Sequence, residues 1–293
     1  MILIFTYVAV FVFAVGFIWR VLRIARMPVH LRWELAPVPH EKTRASYGGS
    51  YLEEFEWWTK PREKSLINEG FYMFQEIVFL KGVWEKNRPL WLWSFPLHFG
   101  LYLLIGMVVC LVLASLGVSA LGPVAQCLGG VGYVLGAVGA VGLFCRRRFD
   151  PKLRPFAAPS SYFNLVFLAA LFVSGAITMF AGDFLASMTS FGGAFFTADT
   201  SVALGTAASV HITIGMLFLI YLPFTYMMHF ATKYFMYHEV RWNDEPIREN
   251  PAMTEEVKEL LGQTVTWAAP HLGADGKKNW VDIATADASE EVK

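Results

Sequence analysis

Five apolar runs, each long enough to cross a lipid bilayer as a helix, dominate this sequence of 293 residues. They cover approximately residues 2–23, 91–117, 123–145, 160–182 and 203–229. A hydrocarbon core of about 30 Å requires about 20 helical residues. The composition agrees, because 55% of the residues are hydrophobic and the mean hydropathy is +0.44. The sequence therefore predicts an all-α integral membrane protein with five transmembrane helices.

The basic residues predict how these helices are oriented. All 24 Lys and Arg lie in three segments: from the end of the first run to Arg88, in RRRFDPKLR (146–154), and from Lys233 onward. The connections around 118–122 and 183–202 contain none. Because positive charge accumulates on the cytoplasmic side, we expect the N-terminus outside and the C-terminus in the cytoplasm.

This topology divides the chain into four parts. They are transmembrane helix 1 (1–23), a cytoplasmic insert (24–90), a four-helix membrane core (91–235) and a cytoplasmic tail (236–293). The insert is too polar to span the bilayer and rich in Trp, which favours a region that docks a partner protein. In the tail, Asn250 as N-cap, Pro251 and a final Gly262 predict one short helix.

Three histidines, His98, His211 and His229, lie in the apolar runs. In a continuous helix the 18 residues from His211 to His229 make about five turns, so both point from one face about 27 Å apart. With the predicted orientation, His98 and His229 both lie toward the inner surface. Two imidazoles facing each other at one depth suit a six-coordinate heme iron, and Gly100, Gly106 and Gly215 would leave room for a porphyrin.

Other interpretations of the intramembrane histidines remain open. Each could instead hydrogen-bond to a neighbouring helix. A proton relay would require carboxylates, and the five runs contain no Asp or Glu. The cysteines, Cys110, Cys127 and Cys145, form neither CxxC nor CxxCH, so they indicate packing rather than zinc or covalent heme.

The last run, HITIGMLFLIYLPFTYMMH, resembles the final membrane helix of the respiratory nitrate reductase gamma subunit family. The shared positions are His211, Gly215, Met216, Pro223, Phe224 and His229. The stretch RRRFDPKLRPFAAPSSYFN is similar to the loop between helices 3 and 4 of that family. The resemblance implies five helices with b-type hemes bound between helices 2 and 5, and electron transfer in the membrane.

The insert sequences RWELAPVPHE and GGSYLEEFEWW resemble a subgroup of these cytochromes b. They are most similar to those of the Tmc-type redox complexes of sulfate-reducing bacteria, followed by the Hmc and Dsr types. The resemblance implies a bacterial inner-membrane protein. Its partners would be a cytoplasmic iron–sulfur subunit of the heterodisulfide-reductase type and a periplasmic multiheme cytochrome c, with no nucleic acid.

The resemblance also assigns ligands. His98 and His229 match the pair that binds the inner heme b, whereas Val108 stands where the family has the second histidine of helix 2. His211 therefore lacks its expected partner. A second heme could be absent, five-coordinate or held by another residue; the adjacent Met107 points about 100° away from position 108.

Cationic side chains at the inner ends of the helices could contact the heme propionates. The candidates are Arg146, Arg147, Arg148 and Lys233, unless they serve only as positive-inside anchors. The expected role is that of an electron-transfer subunit. Two alternatives stay open, namely a subunit that oxidises menaquinol or reduces menaquinone in a pocket near His211, and a heme-poor membrane anchor.

Overall fold

The computed structural model describes residues 1–27, 37–38, 41, 47–61, 64–246, 249–269, 271 and 273–286. The described helices are α1 (Ile2–Ala25), α2 (Leu66–Val78), α3 (Lys81–Lys86), α4 (Arg88–Ser115), α5 (Leu121–Phe149), α6 (Pro159–Phe180), α7 (Phe184–Thr197), α8 (Thr206–Tyr221), α9 (His229–Phe235), α10 (Pro251–Leu261) and α11 (Trp280–Thr285). Strands β1 (Ala268–Ala269) and β2 (Ala274–Asp275) pair antiparallel. The stretch RWELAPVPHE lies largely outside the described residues.

Five of the described helices are long and apolar enough to cross a membrane, which confirms the prediction of a multi-pass helical protein. They are Ile2–Ala25, Arg88–Ser115, Leu121–Phe149, Pro159–Phe180 and Thr206–Phe224. Helix α4 begins earlier than the apolar run, because the Asn87 side chain accepts a hydrogen bond from the Leu90 amide at 3.1 Å and caps the first turn. Helix α5 continues beyond its apolar run through Arg146, Arg147 and Arg148.

Glycines bring α4 and α5 into the closest contact in the membrane domain. A Cβ atom on Gly100 would lie 2.6 Å from the Gly136 amide nitrogen and 2.7 Å from the Gly132 carbonyl oxygen. A Cβ atom on Gly139 would lie 2.4 Å from the Leu97 nitrogen. The prediction that Gly100 makes room for a porphyrin is therefore wrong, because its small size lets two backbones approach each other.

A helix that the sequence did not indicate, α7, fills the connection 183–202. It packs against α4 and α5, and its first residue, Phe184, joins Tyr133 and Phe172 in the buried core. The left-handed conformation of Ala198 (φ 56°) ends it. The segment is apolar but too short to span, so hydropathy alone gave no reason to separate it from a loop.

The fifth span is broken near its C-terminal end. Helix α8 stops at Tyr221, two short 3₁₀ turns (Leu222–Phe224 and Tyr226–Met228) follow, and α9 starts at His229. Pro223 has no backbone N–H and its ring disfavours the preceding helical turn. The prediction of one continuous helix to residue 229 is wrong, and with it the 27 Å same-face relation of the two histidines.

The described chain forms two compact units, Met1–Leu22 with Ile67–Phe230 and Arg23–Leu66 with Ala231–Lys293. In the second unit the Tyr51 hydroxyl donates to the buried Asp244 carboxylate at 2.5 Å. The predicted tail helix is confirmed as α10, since the Asn250 side chain accepts from the Met253 amide at 3.0 Å.

Candidate functional site

Two of the three histidines that lie in the apolar runs are next to each other in the first unit. His98, in the first half of α4, and His229, at the start of α9, have ring centroids 6.0 Å apart with 71° between the ring planes. The chain thus brings together imidazoles from α4 and α9, although 131 positions separate them in sequence. His98 is half-buried and His229 is exposed on the protein surface.

Backbone carbonyls fix the tautomer of both rings. The Nδ1 atom of His98 lies 2.7 Å from the Ser94 carbonyl oxygen, and that of His229 lies 3.3 Å from the Tyr226 carbonyl oxygen. Because a carbonyl oxygen only accepts, each Nδ1 carries the proton and each Nε2 carries the lone pair. Metal-binding histidines commonly donate their other ring N–H to such a carbonyl.

The spacing of the two rings suits one metal ion between them. A metal–imidazole bond is about 2 Å long, so two nitrogens bound on opposite sides of one ion lie about 4 Å apart. With about 1 Å more from each nitrogen to its ring centre, the ring centres lie roughly 6 Å apart. His98 and His229 therefore fit the two axial positions of a heme iron in both donor type and spacing.

The break in the fifth span positions His229. Pro223 is buried against α1, where a Cβ atom on Gly16 would lie only 3.0 Å from the Pro223 Cβ. After the proline, Thr225 is extended, and its hydroxyl oxygen accepts from the Met227 amide at 3.1 Å. The Phe17 ring stacks on Phe230, with centroids 6.1 Å apart. Helix α1 therefore supports both sides of the segment that carries His229.

Polar side chains also fasten this break to α5 and α6. The Tyr221 hydroxyl donates to the buried Asn164 side-chain oxygen at 2.8 Å. The Tyr226 hydroxyl interacts with the side chains of Ser161 and Arg147. These partners were missed by sequence reasoning. The available signal was Asn164, an amide within an apolar run.

The cationic candidates for the propionates differ in their surroundings. Arg147 lies beside Tyr226 in the break, whereas Arg146 forms an ion pair with Asp150 at 2.9 Å. Arg148 lies over the Phe149 ring at 5.7 Å. Lys233 lies in the second unit, where its amino group is 5.8 Å from the Tyr237 ring centre. Arg147 thus contacts Tyr226, three residues before His229, and Lys233 lies one turn after His229 in α9.

His211 occupies a different, enclosed environment. Its Nε2 lies 2.8 Å from the Tyr133 hydroxyl and its Nδ1 lies 2.9 Å from the Ser174 hydroxyl. Ser174 donates its own proton to the Leu171 carbonyl at 3.0 Å. Therefore Nδ1–H donates to Ser174 and Nε2 accepts from Tyr133. Both ring nitrogens are thus satisfied by hydrogen bonds, as in the helix-to-helix alternative considered from the sequence.

Val108, at the expected second-ligand position, and the adjacent Met107 have different surroundings. Val108 is a surface residue with about half its area exposed (52%). Met107 is buried against α5, and its sulfur would lie 2.6 Å from a Cβ atom on Gly129. The geometry therefore brings His98 to His229 and leaves His211 in a hydrogen-bonded cluster with Tyr133 and Ser174.

Within the described ranges, no group of three or more His, Cys, Asp or Glu side chains is arranged to hold a metal ion. A heme needs only two protein ligands, because the porphyrin supplies the other four. No protein-family model, curated protein or solved structure matches the chain. The family resemblance accordingly rests on the motif alone.

Proposed function

We propose that this protein is a membrane cytochrome b subunit of a multi-subunit respiratory redox complex, with one heme b held by His98 and His229. The observation that carries the proposal is the 6.0 Å spacing of these two rings, each with its Nδ1 bonded to a backbone carbonyl. Two imidazoles presented in this way at the inner end of a membrane helix bundle are costly to bury without a function.

When bound, heme b supplies reversible one-electron transfer. The chain's own residues hold and tune the cofactor. The carbonyl oxygens of Ser94 and Tyr226 orient the two imidazoles, and these hydrogen bonds make each Nε2 more basic and so a stronger metal ligand. Arg147 offers a positive charge for a propionate near His229.

The second unit supplies a surface for a cytoplasmic partner. Phe55 is 85% exposed and Trp58 is 40% exposed, while Trp57 packs edge-on against both Tyr51 and Trp58. Exposed aromatic side chains beside the Glu54–Lys60 ion pair match the composition of protein interfaces. We assign this surface to the iron–sulfur subunit of the heterodisulfide-reductase type, with a periplasmic multiheme cytochrome c as the outer redox partner.

The menaquinone alternative receives less support. It requires an accessible pocket beside His211, and that side chain is 9% exposed with both nitrogens engaged. We therefore keep a single heme near His98 as the redox centre of the proposal. An outer heme at His211 is not part of it.

The test is the amount of heme b per polypeptide in the purified protein, measured by pyridine hemochrome against protein mass. We expect one heme in the unmodified chain, lost in His98→Ala and in His229→Ala. The matched control is His271→Ala, which removes an exposed histidine outside the membrane helices and should retain the heme.

Two results would contradict the proposal. Absence of a Soret band from protein isolated out of heme-sufficient cells would leave the membrane-anchor alternative. Retention of full heme content in both His98→Ala and His229→Ala would move the cofactor to other ligands. Circular dichroism and detergent gel filtration separate loss of heme from loss of fold.

A further inference from the structure

Helix α2 has its amphipathic faces reversed relative to a helix in water. On a helical wheel, Leu66, Ile67, Gly70, Phe71, Phe74, Ile77 and Val78 form one continuous apolar face. The polar residues Asn68, Glu69, Tyr72, Gln75 and Glu76 occupy the opposite side. A water-exposed helix would bury the first face and expose the second.

In the structure the apolar face is exposed, whereas the polar face changes from exposed at Asn68 to buried at Glu76. On the apolar face, Ile67 is 84% exposed, Phe71 is 61% exposed and Phe74 is 51% exposed. On the polar face, Glu76 is buried at 5% exposure, and the Gln75 side chain accepts a hydrogen bond from Lys81 at 2.9 Å. The apolar face therefore points away from the protein.

The C-terminal end of α2 is fastened to a membrane-spanning helix. The Tyr102 hydroxyl of α4 donates to the Ile77 carbonyl at 2.7 Å, and the Trp91 indole donates to the Phe79 carbonyl at 2.8 Å. Tyr102 lies about 21 Å along α4 from Arg88. The Tyr102 side chain points back toward the start of α4. The Ile77 carbonyl that it contacts nevertheless lies beside the membrane-spanning part of α4 and not beyond its end.

These two hydrogen bonds satisfy carbonyls that a helix leaves unpaired at its C-terminal end. In water such groups are solvated, whereas in lipid they must be satisfied by protein. Beside them lie Trp84 and Trp91 (ring centroids 4.8 Å apart) with Arg88 over the Trp84 ring. Tryptophan with basic residues is typical of the bilayer interface.

We propose that α2 is a membrane-embedded interfacial helix, which lies in the leaflet at the Arg88 end of α4 with its Phe-rich face in the acyl chains. The occupant of that face is the bilayer, because Tyr102 and Trp91 of a membrane-spanning helix hold the C-terminal end of α2 while its apolar face stays exposed. A helix of 13 residues is too short to span but suits such a position. The segment 24–90 is then not cytoplasmic throughout.

The test is spin-label accessibility of the full chain in lipid vesicles, with Cys110, Cys127 and Cys145 replaced by alanine. Labels are introduced singly by Ile67→Cys, Phe71→Cys and Phe74→Cys. Ile105→Cys, on the exposed face of α4, is the lipid reference, and Lys152→Cys, in the loop after α5, is the water reference. Collision rates are measured with oxygen, which concentrates in lipid, and with a water-soluble nickel chelate.

We expect the oxygen-to-nickel ratio at Phe71 and Phe74 to match that at Ile105 and to exceed that at Lys152 several-fold. A label at Asn68, on the opposite face, should give a lower ratio than one at Phe71. Nickel-dominated collisions at Phe71 and Phe74 would overturn the proposal and make the face a docking surface for a soluble protein. Low collision rates with both reagents would also overturn it, because they mean that protein covers the face. None of these outcomes depends on heme content.

Discussion

The two ring nitrogens of each membrane histidine determine what that histidine can do. In His98 and His229 the Nδ1 atom is bonded to a carbonyl oxygen, so Nε2 carries the lone pair, and the ring centroids lie 6.0 Å apart. In His211 both nitrogens contact hydroxyl groups. The neighbours of the three histidines therefore differ: His98 and His229 lie beside each other, whereas His211 lies between two hydroxyl groups.

Substitution of His211 should destabilise the protein and leave its heme in place. His211→Leu removes the acceptor of Tyr133 and the donor to Ser174 and leaves two hydroxyls without these partners. Hydrogen bonds between membrane helices contribute about 0.6–1.7 kcal/mol each, so we expect the free energy of unfolding to fall by about 1–3 kcal/mol. Unfolding in mixed detergent micelles measures it.

The control for this change is His271→Ala, which should leave stability within about 0.5 kcal/mol of the original. Heme per polypeptide should be the same in all three proteins. If His211→Leu lowers the amount of heme per polypeptide, a heme is ligated at His211 and the packing interpretation is wrong.

The sequence paired His98 with His229 but could not predict the partners of His211. Tyr133 and Ser174 are 78 and 37 positions from His211, and nothing local marks them as its partners. Likewise, Arg147 and Arg146 are adjacent in sequence, and only the fold turns one toward Tyr226 and pairs the other with Asp150. Side-chain partners depend on helix rotation, which hydropathy does not encode.

At the level of elements, small residues determine which helices approach each other. The α4–α5 contact depends on Gly100 and Gly139, where an added Cβ atom would meet backbone atoms of the other helix. Elsewhere in α4, Gly106 has only the tip of Leu128 nearby, at 3.4 Å from a built Cβ. Glycines of one helix thus differ in what an added methyl group would displace.

We expect Gly100→Ala to destabilise the protein more than Gly106→Ala. The added methyl group at position 100 meets backbone atoms of α5 at 2.6–2.9 Å, which can move only if the helices separate. Such overpacking costs about 1–3 kcal/mol. At position 106 the neighbouring atom is the end of a flexible side chain. Thermal unfolding of both variants in the same detergent measures the difference.

Equal melting temperatures for the two variants would contradict the packing assigned to Gly100. A loss of heme in Gly100→Ala without a loss of stability would instead restore the idea that this glycine makes room for the porphyrin. The same measurement therefore distinguishes the sequence-based interpretation of Gly100 from the structural one.

At the level of the whole molecule, the five spans were predictable and the irregular parts were not. Every span must be long and apolar enough to cross the lipid, so the spans can be recognised from the local sequence composition. The break at Pro223 required knowing that α1 presents Gly16 there, and the outward apolar face of α2 required knowing that α4 caps its end. These depend on contacts between distant segments.

The orientation predicted from the basic residues determines which loops should react with a membrane-impermeant maleimide in intact cells. In a cysteine-free background, Asp199→Cys, in the exposed turn after α7, should be labelled from outside. Lys152→Cys, in the basic loop after α5, should be labelled only after the cells are permeabilised. Labelling of Lys152→Cys in intact cells would reverse the predicted orientation.

The interruption at Pro223 also has a mechanical consequence. A continuous helix would move as one rigid element, so a displacement of His229 would also displace His211. Here α8 and α9 are separate helices, and the extended residue Thr225 lies in the segment that connects them. The imidazole of His229 can therefore shift without displacing His211, which is held by hydrogen bonds with Tyr133 and Ser174.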